Sequence, residues 1–261
     1  MFLDKGIKAI FFDLDGTLRF SDPAPHIVFA EEATRLGLEI SLDARRRAAI
    51  WEHQYFGGSE EARQDRATFR DDGTAFWTNY SRRQLIELGA SPARADEMAT
   101  VLHGYMREHY RPSDLLMPNV QPVLTALKNA GLFLGVISNR EQPFKEYLGE
   151  LGLAAYFDFF LAAGEVKCWK PDKAIFEHAL SLTGLKAEEA LYVGDNYFAD
   201  VVGARNAGMQ AILIDVDGVF EQPDCPVISS YHEFLGLFGY AQAADSIWSQ
   251  PIANQEQTNE P

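Results

Sequence analysis

The sequence predicts an α/β fold in which a parallel β-sheet is interrupted, after its first strand, by an all-helical block. Beyond residue 118, short apolar runs alternate with segments of helical spacing, a pattern typical of parallel βαβ units. Between residues 20 and 112, apolar residues recur at helical spacing and strand-like runs are missing. The chain of 261 residues is long enough for one core domain with a smaller insert.

The first strand is predicted at residues 7–12, a short apolar run that ends at a glycine turn. Glycine and proline punctuate the insert that follows, most clearly at Gly57-Gly58 and Ser91-Pro92. Four helices are predicted between these breaks, at residues 27–36, 42–55, 75–88 and 95–110.

After the insert, strands and helices are predicted in alternation. Residues 132–137 form a continuous apolar run, which suits a strand buried on both faces. The remaining predicted elements are strands at 157–161, 190–193 and 211–214, and helices at 120–130, 144–151, 174–182 and 198–207. The predicted organisation is a core of residues 1–19 and 113–248, a helical domain of residues 20–112, and a polar, disordered tail of residues 249–261.

Charge and composition restrict the class of partner. The formal net charge of −15 argues against a nucleic acid or an anionic membrane surface as the main partner, although a local cluster of cations could still bind a small anion. No apolar run approaches the ~18 residues of a membrane-spanning helix, and the N-terminal run does not resemble a signal peptide. The two cysteines do not form a disulfide framework, so we expect a cytoplasmic protein. The sequence carries no signal of an oligomeric state.

Four polar clusters lie at or just beyond the ends of predicted strands. In open parallel sheets, ligands bind outside the carboxyl ends of the strands, so the four clusters are expected to meet in one crevice. The first contains Asp13 and Asp15, which lie two residues apart and can share one side of the chain. The others are Ser138-Asn139, Lys170-Pro171-Asp172, and Gly194-Asp195-Asn196 with Asp200.

Taken singly, each cluster is compatible with an ordinary turn or helix cap, but together they indicate a metal site. The carboxylates of Asp13, Asp15, Asp195 and Asp200 would repel one another in one crevice unless cations compensate their charge. A hard divalent ion with oxygen ligands would do so, and Lys170 would add a fixed positive charge. The clusters contain no histidine or cysteine, which argues against zinc.

These four motifs, in this order, closely resemble those of the haloacid dehalogenase superfamily. The resemblance runs from residue 8 to about residue 215, with the helical insert in the position of that family's first-insertion cap. It implies a Rossmann-like core with an all-helical cap domain. It also implies a Mg²⁺-dependent phosphatase that acts on a small phosphorylated metabolite.

The resemblance assigns a role to each motif residue. Asp13 matches the nucleophile that forms an aspartyl-phosphate, and Asp15 matches the general acid and base. Lys170 matches the lysine that neutralises the nucleophile and the transferring group. Thr17 matches a supporting residue beside the substrate, and Ser138 and Asn139 match the pair that binds the phosphoryl group. The matched metal ligands are Asp13, the backbone carbonyl of Asp15, Asp195 and, as a second acid near the metal, Asp200.

One residue departs from the family pattern. Arg140 follows Asn139 where many relatives have a small residue, and we expect its side chain to point to solvent.

Several other functions are alternatives to a phosphatase. Dehalogenases attack carbon and lack an acid equivalent to Asp15, whereas a sugar phosphomutase would share all four motifs. Phosphonatases use a cap lysine, and residues 19–111 contain no lysine. A non-catalytic binding protein of the same fold would be expected to lose a motif acid, yet all are present.

Overall fold

The computed structural model describes residues 6–237, so the predicted tail lies outside the described residues. Six parallel strands form the central sheet, in the spatial order β5-β4-β1-β6-β7-β8. Their bounds are Ala9–Phe12 (β1), Phe133–Ser138 (β4), Phe159–Ala162 (β5), Ala190–Gly194 (β6), Gln210–Ile214 (β7) and Val227–Ile228 (β8). The predicted α/β fold and parallel sheet are therefore confirmed.

Strand β1 lies in the middle of the sheet because all four of its side chains are apolar and can be buried on both faces. Ile10 and Phe12 pack into one apolar core, and Ala9 and Phe11 into the other, on the opposite face. The first core receives the helices Val120–Asn129 (α6), Lys145–Glu150 (α7) and Tyr231–Leu237 (α11). The second receives the helices Lys173–Thr183 (α9) and Gly203–Asn206 (α10).

The strand register aligns the ends of three strands. Phe12 is level with Val136 of β4 and with Val193 of β6, so the residues that follow these positions emerge at one edge of the sheet. This edge is where the predicted clusters at Asp13, Ser138 and Asp195 lie. A short helix, Ala163–Val166 (α8), follows β5, and a π-helical turn, Tyr197–Val202, leads into α10.

The insert contains the four predicted helices and one that was not predicted. The bounds are Pro25–Arg35 (α1), Leu42–Phe56 (α2), Glu60–Thr68 (α3), Gly73–Glu87 (α4) and Pro92–His109 (α5). Four of these helices have an N-terminal cap residue whose side chain accepts a hydrogen bond from a backbone N–H group of the first turn. These cap residues are Ser41, Ser59, Asp72 and Ser91. Helix α3 was missed because its sequence is polar throughout and buries little beyond Ala62 and Asp65.

A two-stranded antiparallel sheet, also not predicted, joins the insert to the core. Strand Arg19–Asp22 (β2) pairs with strand Ser113–Leu116 (β3), so the chain enters and leaves the insert side by side. Both strands are short and largely accessible to solvent, which explains the lack of a clear apolar alternation. Among residues 6–237, no helix is long and apolar enough to span a membrane.

Candidate active site

Asp13 follows β1 and is held at the edge of the sheet by its backbone. Its N–H donates a hydrogen bond of 2.8 Å to the carbonyl of Val193 in β6, and its side chain is buried. The chain then turns at Gly16, which has a φ of 87°. A Cβ atom at Gly16 would lie 2.3 Å from Oδ2 of Asp195, so this position needs glycine both for its backbone conformation and for space.

Lys170 links the nucleophile motif to the fourth motif. Its Nζ donates to Oδ1 of Asp13 and to Oδ1 of Asp200, both at 2.6 Å, and its side chain is only 3% exposed. Burial alone would lower the pKa of Lys170, but the charges of these two carboxylates outweigh it and raise the pKa well above its ordinary value. The lysine is therefore a fixed cation beside Asp13.

The side chain of Asn139 holds Lys170 in place. Its Oδ1 accepts the N–H of Lys170 at 2.7 Å, and its Nδ2 donates to the carbonyl of the same residue at 3.0 Å. Both polar atoms of the amide are thus directed at the lysine backbone. Ser138 is buried at the end of β4, next to this pair. Phosphoryl binding by Ser138 and Asn139 stays a prediction, with the hydroxyl and the backbone N–H groups as its candidate donors.

Three carboxylates form an acidic cluster that could hold a metal ion. Oxygen atoms of Asp13, Asp195 and Asp200 all lie within 4.8 Å of one another. Thr17 donates to Oδ1 of Asp195 at 3.1 Å, and the backbone N–H of Asn196 donates to Oδ2 of Asp200 at 2.9 Å. These hydrogen bonds fix two of the three acids in orientation. The side chain of Asp15 is not a member of this cluster, so its predicted contribution rests on its backbone carbonyl.

The electrostatics of the cluster favour a hard cation. Burial raises the pKa of Asp13 to about 7, and the charges of Asp200 and Asp15 add to this rise while Lys170 opposes it. Burial, and then the charges of Asp13 and Asp200, raise the pKa of Asp195 well above its ordinary value. One lysine is therefore insufficient to neutralise two buried carboxylates and a half-buried one. An all-oxygen donor set of this kind fits a hard divalent cation such as Mg²⁺.

Asp15 is bound by two arginines, which corrects the prediction for Arg140. Instead of pointing to solvent, Arg140 donates from Nε to Oδ2 of Asp15 at 2.8 Å and from Nη2 to Oδ1 at 2.7 Å. Arg19 donates from Nε to Oδ1 at 2.7 Å. Burial would raise the pKa of Asp15, but the hydrogen bond from Arg140 and the charges of both arginines outweigh it and lower the pKa. Bidentate pairing satisfies both carboxylate oxygens, which explains why the arginine turns inward.

Sequence reasoning gave no role to two residues that support the site. Tyr192 lies inside β6 and was taken as part of an apolar strand, yet its hydroxyl accepts from Lys170 at 3.0 Å and donates to the carbonyl of Ile137 at 2.8 Å. Asn196 accepts from the N–H groups of Phe198 and Ala199 and donates to the carbonyl of His53 in α2. A tyrosine hydroxyl inside a buried strand needs a partner, and that requirement is the signal that could have identified Tyr192.

The insert contacts the core beside the fourth motif. A Cβ atom at Gly57 would lie 2.5 Å from Cβ of Phe198, and a Cβ atom at Gly58 would lie 2.7 Å from Cδ of Pro171. The end of α2 therefore approaches the loops that carry Lys170 and Asp200 closely enough to require glycine. The two glycines that the sequence suggested as helix breaks thus lie at a contact between the insert and the core.

Comparison with known proteins agrees with this geometry. The family model for haloacid dehalogenase-like hydrolases matches residues 7–208, which include every motif residue named above. The chain belongs to this family of hydrolases. The match therefore covers four of the six strands of the central sheet and the loops that carry the four motifs.

Several curated relatives of this haloacid dehalogenase-like hydrolase are phosphatases. A phosphoserine phosphatase from Thermus thermophilus is 31% identical over 232 residues, covering 80% of this chain and 89% of the relative. A glyceraldehyde 3-phosphate phosphatase from Methanothermobacter thermautotrophicus is 32% identical over 212 residues, covering 80% and 86%. A phosphoglycolate phosphatase from Salmonella typhi is 28% identical, covering 80% and 81%.

Solved structures support the fold of the haloacid dehalogenase-like chain. A haloacid dehalogenase-superfamily phosphatase from Thermococcus onnurineus superposes with a TM-score of 0.52 at 24% identity, covering 89% of this chain and 98% of that structure. A phosphoglycolate phosphatase, predicted as such, from Haemophilus somnus gives a TM-score of 0.55 at 21% identity, covering 89% and 98%. At these identities the likeness concerns the fold alone.

Proposed function

We propose that this protein is a Mg²⁺-dependent phosphatase that hydrolyses small phosphate monoesters through an aspartyl-phosphate on Asp13. The observation that carries the proposal is the contact between Lys170 and Asp13, a buried ion pair of 2.6 Å at the carboxyl end of the central strand. A carboxylate that is held beside a fixed ammonium group in this way is oriented for attack and is close to a charge that can stabilise a phosphoryl group. Asp15, two residues further on, is the proposed proton donor and acceptor.

In the first step, a carboxylate oxygen of Asp13 attacks the phosphorus atom in line with the leaving oxygen. The new bond joins the Asp13 oxygen to phosphorus, the phosphorus–oxygen ester bond breaks, and a proton from Asp15 goes to the leaving oxygen. The three N–H groups of Lys170 already donate to Asp13, Asp200 and Tyr192, so the proposed effect of Lys170 on the phosphoryl oxygens is that of its positive charge. The products of this step are the free alcohol, the aspartyl-phosphate and the ionised Asp15.

In the second step, Asp15 takes a proton from a water molecule that attacks the phosphorus atom. The acyl-phosphate bond to Asp13 breaks, inorganic phosphate is released, and both carboxyl groups return to their starting states. Ser138 and the backbone N–H groups around Asn139 are the proposed donors to the phosphoryl oxygens during both steps. Thr17 acts by holding Asp195 rather than by touching the ester.

The side chains of Asp13, Asp195 and Asp200, together with the backbone carbonyl of Asp15, are the proposed Mg²⁺ ligands. When bound, the ion would neutralise the clustered carboxylates and part of the charge of the phosphoryl group. Asp200 also pairs with Lys170 and accepts the N–H of Asn196, so this acid connects the ligand set to the fixed cation.

The proposed substrates are small phosphorylated metabolites. The phosphatases that resemble this chain act, by their names, on phosphoserine, glyceraldehyde 3-phosphate and phosphoglycolate, which are all small monoesters. The sequence-based expectation of a cytoplasmic protein is kept as a proposal, supported by the two free cysteines. A carbon-attacking dehalogenase is less well supported, because Asp15 and the acidic cluster have no use in that reaction.

The test is an assay of the purified protein with p-nitrophenyl phosphate and a panel of phosphorylated metabolites. We expect turnover that needs Mg²⁺ and that Asp13→Asn abolishes without loss of the fold, because an amide is a poor nucleophile. Quenching during turnover of a ³²P-labelled substrate should leave label on Asp13. Full activity of Asp13→Asn would contradict the mechanism. A sugar phosphomutase would instead interconvert sugar phosphates faster than it releases phosphate.

A further inference from the structure

The side chain of Asp15 is oriented by charge rather than by packing. Its side chain is 38% exposed, and both of its oxygens accept hydrogen bonds from charged groups. The donors are three N–H groups, namely Nε and Nη2 of Arg140 and Nε of Arg19. A carboxylate has about four lone-pair positions, and these donors occupy three of them. The position that remains is on Oδ2, which accepts one hydrogen bond where Oδ1 accepts two.

The two arginines belong to a closed ring of five side chains. The guanidinium of Arg140 stacks 4.3 Å from the ring centroid of Tyr147. The Tyr147 hydroxyl donates to Oδ2 of Asp114 at 2.7 Å, and Nη1 of Arg19 donates to Oδ1 of the same aspartate at 2.8 Å. Arg19 then returns to Asp15. Every member of the ring has a partner on both sides.

The ring connects four separate parts of the fold. Arg140 follows β4 and Tyr147 lies in α7. Arg19 lies in β2 and Asp114 in the paired strand β3, where Asp114 is opposite Ser21. The chain enters the cap through β2 and leaves it through β3. The orientation of Asp15 is therefore tied to the position of the strands on which the cap is mounted.

We propose that Arg140 is a positioning residue of the phosphatase reaction. It holds the Asp15 side chain so that Oδ2 faces the leaving oxygen, and it links Asp15 to the two-stranded sheet that carries the cap. The inference rests on the proposed function, in which Asp15 exchanges protons with the leaving group and with water. The planar fork of a guanidinium fixes the plane of a carboxylate, which a lysine cannot do. Proton transfer is sensitive to such misplacement, because a shift of about 1 Å can cost ~100-fold.

The test compares two esters in a double-mutant cycle. Glycerol 2-phosphate has a poor leaving group that needs a proton, whereas p-nitrophenyl phosphate has a good one that needs it less. We expect Arg140→Ala to lower kcat about 10- to 100-fold on the alkyl ester and less than about 3-fold on the aryl ester. In the Asp15→Asn background, the same change should cost less than about 2-fold on either ester, because Arg140 acts through Asp15.

Three further variants separate positioning from general effects. Arg140→Lys keeps the charge but not the fork, so it should not restore turnover of the alkyl ester. Tyr147→Phe keeps the ring under the guanidinium but removes its link to Asp114, and should give the same preference for the aryl ester with a loss of about 2- to 5-fold. Arg205→Ala breaks a comparable arginine–aspartate pair, with Asp224, and should leave both rates within about 2-fold.

Each outcome bears on one of the two claims. Equal losses on both esters in the wild-type and Asp15→Asn backgrounds would mean that Arg140 binds the substrate directly, and would overturn the inference while leaving the phosphatase intact. Faster turnover by Arg140→Ala would also overturn it. If the wild-type protein hydrolyses neither ester nor any phosphate of the panel, the proposed function fails, and the inference fails with it. Circular dichroism of each variant checks that the fold is retained, and Tyr147→Phe provides the test if Arg140→Ala does not fold.

Discussion

Removal of the charge of Lys170 is the sharpest test of the electrostatics of the site. The ammonium group lies 2.6 Å from carboxylate oxygens of Asp13 and Asp200 and is almost fully buried. Lys170→Ala would leave these two acids and Asp195 clustered without their cation. A second lysine, Lys167, lies three residues before Lys170; its side chain is 73% exposed and lies 3.7 Å from a carboxylate oxygen of Glu141. Lys167→Ala is therefore the matched control.

The expected magnitudes follow from these contacts. Loss of one preorganised charge beside the reacting group costs ~100-fold or more in turnover, so Lys170→Ala should lose at least that factor. Breaking a buried ion pair typically costs about 3–5 kcal/mol, and the clustered acids can recover part of this by taking up protons. A net loss of about 3 kcal/mol corresponds to a Tm lower by roughly 6–12 °C in a domain of about this size. Lys167→Ala should cost less than ~10-fold in turnover, as expected for a solvated charge.

Both variants should be assayed on the same phosphate ester and melted with and without Mg²⁺. We expect the loss of Tm in Lys170→Ala to be larger at pH 8 than at pH 5.5, where protonation of the acids relieves their repulsion. Added Mg²⁺ should recover part of the Tm at pH 8 but not the turnover. The reasoning is refuted if Lys167→Ala is the more damaging variant, or if Lys170→Ala turns over at more than a tenth of the wild-type rate.

Three further predictions concern the metal, the pH and the cap. Chelation should abolish activity, Mg²⁺ should restore it, and Ca²⁺ should inhibit because its larger, looser coordination shell disturbs in-line geometry; full activity in chelator would count against phosphoryl transfer. Burial raises the pKa of Asp13 to about 7, so the metal-free protein should lose stability, measured as Tm, as the pH rises from about 4 to about 7. Asp13→Asn lacks this titrating group, so its Tm should fall less over the same pH range. An unchanged dependence of Tm on pH would argue against assigning it to Asp13. Gly57→Ala places a methyl group against Phe198 and should slow turnover about 10-fold, whereas Gly104→Ala, which meets nothing within 4 Å, should not; equal rates would show that the cap–core contact is dispensable.

The sequence predicted the central strands well because their signal is local. Strand β1 is four consecutive buried apolar residues, and β4 and β6 are similar runs. Short runs of this kind between helices can be assigned without knowledge of distant partners. The order of the motifs at the strand ends then follows from parallel topology, since all carboxyl ends emerge at one edge.

The sequence could not predict features that depend on distant partners. Arg140 turns toward Asp15, which is 125 residues away, and nothing in its local sequence indicates this. The side chain of Asn139 is directed at the backbone of Lys170, 31 residues away, and nothing in its local sequence indicates this contact. The antiparallel pair of β2 and β3 forms only when the two ends of the insert meet, so neither strand shows an apolar alternation that would identify it. In each case the interaction is set by the fold rather than by neighbours in the chain.

The pKa values of two aspartates that are two residues apart are perturbed in opposite directions, and this difference would give a bound metal ion a role in the proposed reaction. In the metal-free protein, burial raises the pKa of Asp13 to about 7, whereas the two arginines keep the pKa of Asp15 below its ordinary value. The proposed nucleophile is thus partly protonated near neutral pH, and the proposed acid is ionised. A divalent cation in the acidic cluster would favour the charged form of Asp13, and a phosphate ester beside Asp15 would add negative charge that raises the pKa of Asp15 against the effect of the two arginines. In the proposed mechanism, the ion and the substrate thus move the two pKa values in the directions that the first step requires.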